Sequence, residues 1–475
     1  MCGIAGMIGG AGRETAERMT ASLAHRGPDG FGVEFWPEQS LAFGHRRLAI
    51  IDLTEAGRQP MVSPDGRLAV TFNGEIYNYR ELRAQLLERG HLFHTQSDTE
   101  VLLAAYAEWG DGCLDRLRGM FAFALADFRC REVLLARDRF GIKPLVWAQA
   151  AGGFLFASEL RALLASGLVS RAPDPQAIWD YLSLGSVPPP ATILAGARAL
   201  LPGHALRVGF AGDLRREWRW WSLPEAAPPP TLSFADAAAA LRERLEDAAR
   251  AHLVADVPVG AFLSGGVDSA AMVGLMSRLT AEPVRTFTVG FERQHEDFSE
   301  TAAARRTAEF FGTVHTEVVV TDAEAAANFD AVLAALDQPS LDGANTFFVS
   351  RAASKEVKVV LTGLGGDELF AGYPHFRRHR LAARLPRRLG APLRLLPDRF
   401  RHNLMLPALN PAERLATLRC QMYDAEKRRI LNPDFLAGFA PAPLARLPEP
   451  SLRAGLATVD QVSRWELEGY LPRTL

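Results

Sequence analysis

The sequence predicts two fold classes in succession: an α+β half with antiparallel sheets and flanking helices, then an α/β half with a parallel, doubly wound sheet. Before about residue 205 of the 475-residue chain, strand-like segments adjoin one another, which favours antiparallel pairing. After residue 255 strands alternate with helices, which predicts parallel strands with ligands at their carboxyl ends. The proline run EAAPPP at 225–230 predicts a connector. We therefore expect a domain over 1–210, a connector over 211–232 and a domain over 233–475.

The elements follow from local patterns. In the first half, Gly, Pro and Asp turns separate five strand-like segments, at 41–52, 67–77, 121–128, 131–140 and 152–159. Two helices are expected there, over 78–89 and 98–109. Ser233, with Asp236 three residues on, predicts the start of the first helix of the second half. The alternation that follows predicts strands at 257–264, 284–291, 314–320 and 357–363, with helices at 268–279 and 299–311.

Composition is typical of a soluble globular protein: 48% of residues are hydrophobic, 23% are charged, and the formal net charge is −2. Neither sign of charge dominates, which argues against a general nucleic-acid or membrane binder. Four widely spaced cysteines without a Cys-x-x-Cys pair favour a reducing cytoplasm. We expect neither a membrane span nor a signal peptide. Nine arginines at 377–401 alternate with Leu, Ala and Pro, which we interpret as amphipathic helices with solvated basic faces.

The chain opens MCGIAG, which places a thiol at Cys2. Removal of Met1 leaves Cys2 with both a thiol and a free α-amine. The reference pKa of an α-amine is about 7.7–8.0, so it can act as a base near neutrality. Nucleophile and base then belong to one residue. By itself this pattern also fits a buried thiol without a catalytic role.

Four further motifs accompany MCGI: HRGPDG at 25–30, GHRRLAIIDL at 44–53, FNGEIYN at 72–78 and QSDTE at 96–100. Together the five motifs resemble those of the class II glutamine amidotransferases, whose fold is the N-terminal-nucleophile sandwich of antiparallel sheets. The resemblance covers about the first 200 residues. It implies Cys2 as nucleophile and an oxyanion hole from the Asn73 side chain and the Gly74 N–H. It also implies that Arg47 binds the carboxylate of glutamine, and that Asp98, with Glu75 nearby, binds its ammonium group.

The stretch VGAFLSGGVDS at 259–269 follows a predicted strand and opens a helix. Ser264, Gly265 and Gly266 let the backbone approach an anion at the helix N-terminus. Asp268 offers Mg²⁺ an oxygen ligand, and Ser269 adds a hydroxyl donor. The motif resembles the PP-loop of ATP pyrophosphatases, which transfer AMP to a substrate and release pyrophosphate.

A second glycine-rich stretch, LTGLGGDELFAGY at 361–373, also ends a strand. It resembles the second nucleotide and metal element of the same family, with Asp367 as a further metal ligand beside Glu368. A class II glutaminase followed by a PP-loop domain is the layout of the glutamine-hydrolysing asparagine synthetases. By that resemblance, four more residues contact ATP: Leu263, Val289, Thr362 and Gly363. It implies ATP and Mg²⁺ as requirements, ammonia transfer through an internal tunnel, and aspartate as the leading acceptor. A homodimer fits the same family.

Three positions depart from the family pattern. Leu364 stands where these synthetases have an acid, and Gly343 falls about where some members hold aspartate with arginine. The chain ends YLPRTL, whereas the family continues into a helical stretch with a lysine near the phosphates. Either the chain is incomplete at its C-terminus or another residue supplies that cation. Two alternatives therefore stay open: amidation of another carboxylate in sugar or peptide biosynthesis, or a catalytically silent protein that binds glutamine or nucleotide.

Overall fold

The computed structural model describes residues 1–10, 12–150, 152–225, 232–292, 300–386, 406–442 and 457–474. We call residues 1–225 the front half and residues 232–474 the back half. In the described residues, no helix is both long and apolar enough to cross a bilayer.

Two antiparallel six-stranded sheets form the front half. The first has the order β10-β8-β9-β1-β3-β2 and the second the order β12-β11-β7-β6-β5-β4. The strands are β1 Gly3–Ile8, β2 Gly30–Trp36, β3 Leu41–Arg47, β4 Met61–Val62, β5 Leu68–Ile76, β6 Gly119–Asp127, β7 Glu132–Arg137, β8 Val146–Ala150, β9 Gly153–Ala157, β10 Arg198–Ala199, β11 His204–Gly209 and β12 Leu214–Arg219. Their helices are α1 Arg13–Ala21, α2 Tyr79–Glu88, α3 Asp98–Trp109, α4 Cys113–Arg116, α5 Leu160–Ala165 and α6 Pro175–Leu184.

The two front sheets stack face to face around a dry core. Ile4 and Phe43 of the first sheet belong to one buried cluster with Ala122 and Leu135 of the second. Small alanines on β6 opposite large aromatic rings let the two inner faces interdigitate. A hydrogen bond from Thr71 Oγ1 to the carbonyl oxygen of Gly44 (3.0 Å) also joins the sheets. Residues next to β1, β3 and β5 are therefore held in fixed relative positions.

A four-stranded parallel sheet with the order β15-β14-β13-β16 lies at the centre of the back half. Its strands are β13 Val259–Phe262, β14 Arg285–Phe291, β15 Val314–Val320 and β16 Val359–Leu361. The strand order reverses at β13, so the loops after β13 and β16 lie side by side at the carboxyl edge, where doubly wound sheets bind ligands. The helices are α7 Phe234–His252, α8 Val267–Leu279, α9 Thr301–Phe311, α10 Asp322–Ala327, α11 Phe329–Ala335, α12 Gly343–Ala353, α13 Gly366–Phe370, α14 Pro374–Arg384, α15 Pro411–Arg419, α16 Asp424–Ile430, α17 Pro433–Ala437, α18 Thr458–Trp465 and α19 Leu471–Thr474.

The structure confirms both predicted fold classes and most predicted elements. The helix expected over 98–109 and the strand expected over 314–320 have those bounds. Ser233 caps α7 as predicted, because its Oγ accepts a hydrogen bond from the Asp236 N–H at 3.2 Å. Along this helix Phe234, in the first turn, is 91% exposed, whereas Ala249, in the last turn, is buried.

The predicted connector over 211–232 is wrong in its first part. Residues Leu214–Arg219 form β12, which pairs with β11 at the edge of the second sheet. Three consecutive charged residues, Arg215, Arg216 and Glu217, hide the strand pattern, and only the pairing with β11 at the sheet edge reveals it. Residues 226–231 of the connector lie outside the described residues. The division into domains over 1–210 and 233–475 stays a prediction.

The arginine-rich segment is described only in part. Over Pro374–Arg384 it forms α14, whose buried residues include Phe376 and Ala382, which agrees with an amphipathic helix. Residues 387–401 of the segment lie outside the described residues.

Candidate active site

Cys2 lies directly before β1 and packs against a single residue of the loop that follows β3. The Leu48 N–H donates to Cys2 Sγ at 3.4 Å, and the thiol faces the Leu48 carbonyl oxygen at 3.6 Å. On the other side, Arg26 Nε donates to the Cys2 carbonyl oxygen at 2.9 Å. Arg26 is held in turn by Glu159, at 2.5 Å. The nucleophile predicted from the sequence is therefore fixed on two sides.

Burial dominates the ionisation of groups at the start of the chain. It raises the pKa of the Cys2 thiol, and the hydrogen bond with Leu48 lowers that pKa by a smaller amount. It lowers the pKa of the Met1 amine to about 5. This amine belongs to Met1, and the α-amine of Cys2 that the sequence predicts as the base becomes free only when Met1 is removed.

Asn73 and Gly74 lie on β5, which pairs with β6 and β4 in the second sheet. The Asn73 side chain is 1% exposed, and among the described residues neither its amide nitrogen nor its amide oxygen has a hydrogen-bond partner. Buried amides are normally bonded, because an unpaired one costs roughly 1–3 kcal/mol. At Gly74, an added Cβ would lie 2.7 Å from Phe121 Cα, so the strand admits no side chain there. This amide is kept free at a cost to stability, as expected for a group that awaits a substrate.

Three charged side chains share the electrostatic environment of Cys2. Burial raises the pKa of Glu75, and it raises that of Asp98 to about 7, with the Glu75 charge adding to the rise. Asp98 Oδ2 accepts from the Ile76 N–H at 2.9 Å, which ties α3 to the end of β5. Burial also lowers the pKa of Lys143, and the negative charge of Glu75 raises that pKa by a smaller amount. Two carboxylates and one ammonium group thus lie close to the thiol in a low-dielectric pocket.

Arg47 ends β3, directly before the residue that contacts the Cys2 thiol. Its Nη1 donates to the Thr54 carbonyl oxygen at 2.6 Å, and its Nη2 donates to the carbonyl oxygen of Asp52. The guanidinium is thus held by the loop that follows its own strand. Its carboxylate-binding role stays a prediction.

The loop after β13 has the backbone of an anion site. The Ser264 N–H donates to Ser269 Oγ at 3.1 Å, and the Gly266 N–H donates to Ser264 Oγ at 3.2 Å. The N–H of Gly265 donates to the Glu300 carboxylate at 2.9 Å. A carboxylate of the chain itself therefore occupies one backbone donor of the loop where an anion is expected.

The second glycine-rich loop reaches the first one. At Gly363 an added Cβ would lie 2.8 Å from the Ser269 nitrogen, so the two loops touch through their backbones. Burial and the charge of Asp367 both raise the pKa of Asp268, which places these two predicted metal ligands near each other. Among the described residues, no group of three or more His, Cys, Asp or Glu side chains could hold a metal ion by itself.

The structure brings most of the predicted nucleotide residues to this edge. Leu263 is buried, and its N–H donates to the Phe287 carbonyl oxygen at 2.9 Å. Thr362 Oγ1 accepts from the Leu364 N–H at 3.2 Å. Val289 lies inside β14, paired with Val318, and packs into the core beneath the loops.

Comparisons with known proteins agree with both halves. The family described as "Glutamine amidotransferase domain" matches residues 1–221, and the family described as "Asparagine synthase" matches residues 240–475. "Asparagine synthetase [glutamine-hydrolyzing] 3" of Bacillus subtilis is 34% identical over 86% of this chain and 69% of its own length. This chain belongs to the glutamine-hydrolysing asparagine synthetase family.

Other relatives in the family carry more than one name. "Asparagine synthetase [glutamine-hydrolyzing] 2" of Oryza sativa subsp. japonica is 34% identical over 80% of this chain and 60% of its own length. "Amidase chry2" of Gibberella zeae is 33% identical over 80% of this chain and 61% of its own length. This chain therefore spans between 60% and 69% of the length of these three relatives. A solved glutamine phosphoribosylpyrophosphate amidotransferase from B. subtilis covers 67% of this chain and 81% of that chain, at 18% identity and a TM-score of 0.36, a likeness too weak to assign a fold.

Two departures from the family pattern have clear positions in the structure. Leu364 is 53% exposed at the tip of the second glycine-rich loop, where an acid would face the nucleotide edge. Gly343 begins α12, and an added Cβ would lie 3.4 Å from Leu336 Cγ and closer still to the tip of that side chain. An arginine at position 343 would have to displace Leu336.

Sequence reasoning missed Arg26, Glu159 and Lys143, all close to the nucleophile. Arg26 belongs to the HRGPDG motif, so its position was visible although its role was not. Lys143 follows Asp138, a buried carboxylate that accepts the N–H groups of Phe121 and of Lys143 itself at 3.1 and 3.0 Å. The signal that could have indicated Lys143 is the polar stretch DRFGIK, which directly follows a buried strand.

Proposed function

We propose that the chain is a glutamine-dependent asparagine synthetase, an ATP-dependent carbon–nitrogen ligase. Glutamine is hydrolysed at Cys2, and the ammonia aminates a carboxylate that ATP has activated as an acyl-adenylate, with AMP and pyrophosphate as products. The observation that carries the proposal is the Asn73 amide, which is buried on β5 and has no hydrogen-bond partner among the described residues. Family membership supports the pairing of the two reactions.

In the glutaminase step, the thiol proton passes to the α-amine of Cys2, which is free once Met1 is removed. The sulfur attacks the side-chain amide carbon of glutamine, and the carbonyl oxygen becomes an oxyanion that the Asn73 amide and the Gly74 N–H stabilise. One such donor contributes roughly 3–4 kcal/mol to the transition state. The carbon–nitrogen bond then breaks, the proton leaves with ammonia, and water hydrolyses the thioester to glutamate.

The remaining pocket residues recognise the unreactive end of glutamine. Asp98 and Glu75 offer negative charge to the α-ammonium group, and Arg47 offers its guanidinium to the α-carboxylate. Lys143 is a buried cation whose charge attracts that of Glu75. This attraction partly offsets the repulsion between Glu75 and Asp98.

In the synthetase step, the loop of Ser264, Gly265 and Gly266 holds the phosphates of ATP. To do so, its N–H groups exchange their present acceptors, the Ser269 and Ser264 hydroxyls and the Glu300 carboxylate, for phosphate oxygens. Asp268 and Asp367 fit a Mg²⁺ site, because two close carboxylates with phosphate and water oxygens match the preferred ligands of that ion. When bound, Mg²⁺ would neutralise charge on the departing pyrophosphate. Leu263, Ser269, Val289, Thr362 and Gly363 complete the proposed nucleotide site.

Aspartate is the leading acceptor, and two alternatives have specific support. Leu364 and Gly343 replace polar residues of the family pattern, and one relative is named an amidase; both favour a different carboxylate, as in sugar or peptide biosynthesis. The same departures motivate a catalytically silent protein that binds glutamine or nucleotide. A cytoplasmic location, a homodimer and the absence of nucleic-acid or membrane partners belong to the proposal as well.

The test is pyrophosphate release with ATP-Mg²⁺ across a panel of carboxylic acids, aspartate first, with either glutamine or ammonium as nitrogen source. We expect one acid to support release from both sources. In Cys2→Ala, release with glutamine should disappear and release with ammonium should persist. If no acid supports release from either source, the silent alternative is correct. If aspartate fails and another acid succeeds, the enzyme has a different acceptor.

A further inference from the structure

One short segment contains both Arg47, which we propose binds the glutamine carboxylate, and Leu48, which contacts the Cys2 thiol. Residues 48–54 follow β3, which ends at Arg47, and Leu48 of this loop lies against Cys2 Sγ. The guanidinium of Arg47 is bonded to carbonyl oxygens further along the same loop, at Asp52 and Thr54. The conformation of the loop therefore sets the position of Arg47 relative to the thiol.

Asp29 forms hydrogen bonds with the residues on both sides of Leu48, the residue that contacts Cys2. Its N–H donates to the Arg47 carbonyl oxygen at 2.9 Å, and its Oδ2 accepts from the Ala49 N–H at 2.9 Å. The residues before and after Leu48 are thus both held by Asp29. The same Oδ2 also accepts from Lys358 Nζ at 2.6 Å. Lys358 belongs to the back half of the chain.

Asp52 is the second point at which the back half holds this loop. It has a φ of 53°, a left-handed conformation that a residue with a side chain keeps only when its contacts hold it. The Asp52 N–H donates to Asp256 Oδ2 at 2.8 Å, and the Asp256 N–H donates to the Ile50 carbonyl oxygen at 2.9 Å. Asp256 thus fixes the residue whose carbonyl oxygen receives the Arg47 guanidinium.

Asp256 and Lys358 come from neighbouring positions of the parallel sheet. Lys358 directly precedes β16, and Asp256 comes three residues before β13. The two strands pair from their first residues, Val259 with Val359. Both side chains therefore rest on one rigid edge of the sheet, the opposite edge from the phosphate loops.

From this arrangement we infer that Asp256 and Lys358 are positioning residues of the glutamine site, although they belong to the synthetase half. The inference rests on the proposed glutaminase function. Neither residue reaches the reacting amide. They act through Asp52 and Asp29 on the loop that aims Arg47 at the unreactive end of glutamine.

A residue that aims a binding group is expected to change KM more than kcat. The hydrogen bonds of Asp256 with Asp52 and of Lys358 with Asp29 are partly exposed to solvent. Losing either one should therefore have a smaller effect than losing a buried charge pair. We expect Asp256→Ala and Lys358→Ala each to raise the glutamine KM about threefold to tenfold, the range for a lost hydrogen bond to a charged group after that discount. The kcat of glutamine hydrolysis should change less than twofold.

The experiment uses the full chain and measures glutamate formation against glutamine concentration, with ammonium-dependent pyrophosphate release as a second readout. The variants are Asp256→Ala, Lys358→Ala and the conservative Lys358→Arg, which keeps a cation for Asp29. Asp247→Asn is the matched control, because Asp247 also joins the two halves, through Arg118 at 2.6 Å, but at a distance from the loop. Thermal midpoints check that each variant is folded.

The expected result is a raised glutamine KM in the two alanine variants, near-normal KM in Lys358→Arg and Asp247→Asn, and unchanged ammonium-dependent release. An unchanged KM in both alanine variants overturns the positioning role, as does an equal rise in Asp247→Asn. Wild-type protein that forms no glutamate overturns the proposed glutaminase itself. The two failures are therefore distinguishable.

Discussion

The two candidate sites differ in how much of each exists before substrate arrives. Around Cys2 the functional groups are buried: Asn73 is 1% exposed, and Asp98 and Glu75 are buried as well. Around the PP-loop, Ser264, Gly265 and Gly266 are exposed, and one donor is occupied by a carboxylate of the chain. The front site is built in advance from buried groups, whereas the back site is an open edge that nucleotide must complete.

This difference predicts which property, protein stability or nucleotide binding, each site affects when it is altered. A preformed buried site pays for unpaired groups in stability and gains transition-state stabilisation without reorganisation. An open site of backbone donors and paired acids keeps its charges solvated until phosphate and metal arrive. Substitutions in the front site should therefore act on the chemical step and on stability, and those in the back site on nucleotide use.

The largest expected effect is that of Asp268→Asn, which should impair the back site and leave the front site active. In Asp268→Asn the metal site loses one of its two carboxylates, and charge stabilisation of several kcal/mol corresponds to a fall in pyrophosphate release of roughly a thousandfold. Glutamine hydrolysis at Cys2 should stay within twofold of wild type. Parallel assays of pyrophosphate and glutamate measure both. A comparable loss of glutaminase activity would contradict two chemically separate sites.

Asn73→Ala tests the preformed pocket directly. Removing one oxyanion donor should lower the kcat of glutamine hydrolysis by about 10²–10³, with little change in KM. Because the buried amide is unpartnered, the thermal midpoint should stay equal or rise. Asn78→Ala is the matched control, since that amide of the same motif donates to the Arg116 carbonyl oxygen at 3.0 Å. A fall in the thermal midpoint of Asn73→Ala with normal kcat would assign the residue to packing.

The pH dependence of glutamine use should report Asp98. Burial raises the pKa of this carboxyl to about 7 in the substrate-free protein, so below that pH the group is neutral and must lose a proton to bind an ammonium group. The glutamine KM should then rise about tenfold per pH unit below 7, and the rise should disappear in Asp98→Asn. Ammonium-dependent pyrophosphate release over the same range is the control. A flat KM between pH 5.5 and 8 in the wild type would exclude this role.

The smallest expected effect concerns the open site. Glu300 accepts the Gly265 N–H at 2.9 Å and presents negative charge where phosphate is expected. In Glu300→Gln the repulsion disappears and the KM for ATP should fall about twofold to fivefold, a modest change because the contact is exposed. Glu309→Gln, on the same helix α9 but near its other end, should leave the ATP KM unchanged. A raised ATP KM in Glu300→Gln would show that Glu300 supports the loop.

The sequence predicted the parts of the molecule that depend on local pattern. Helix α3 and strand β15 have the expected bounds. Of the motif residues, Cys2 directly precedes β1, Asn73 lies inside β5 and Asp268 lies in the first turn of α8. Arg26 was visible as a motif position, but its hydrogen bond to Cys2 depends on how α1 and β1 pack. Local patterns fix the elements and the candidate chemistry.

Contacts between distant segments could not be predicted in the same way. Asp256 and Lys358 lie 204 and 329 residues from their partners Asp52 and Asp29, and no spacing rule joins such positions. Strand β12 was missed because its pairing partner, and not its own composition, defines it. The effect of burial on the ionisation of Asp98 likewise depends on the closed sandwich of sheets.

The most direct test of the whole account follows the nitrogen atom. The full-length wild-type protein is given glutamine labelled with ¹⁵N in its amide group, together with ATP, Mg²⁺ and the acid that supports pyrophosphate release. The account predicts glutamate, pyrophosphate and a ¹⁵N-labelled amide product in equal amounts, and none of the labelled product in Cys2→Ala. Glutamate that accumulates without a labelled amide, or a labelled amide that Cys2→Ala still forms, would contradict it.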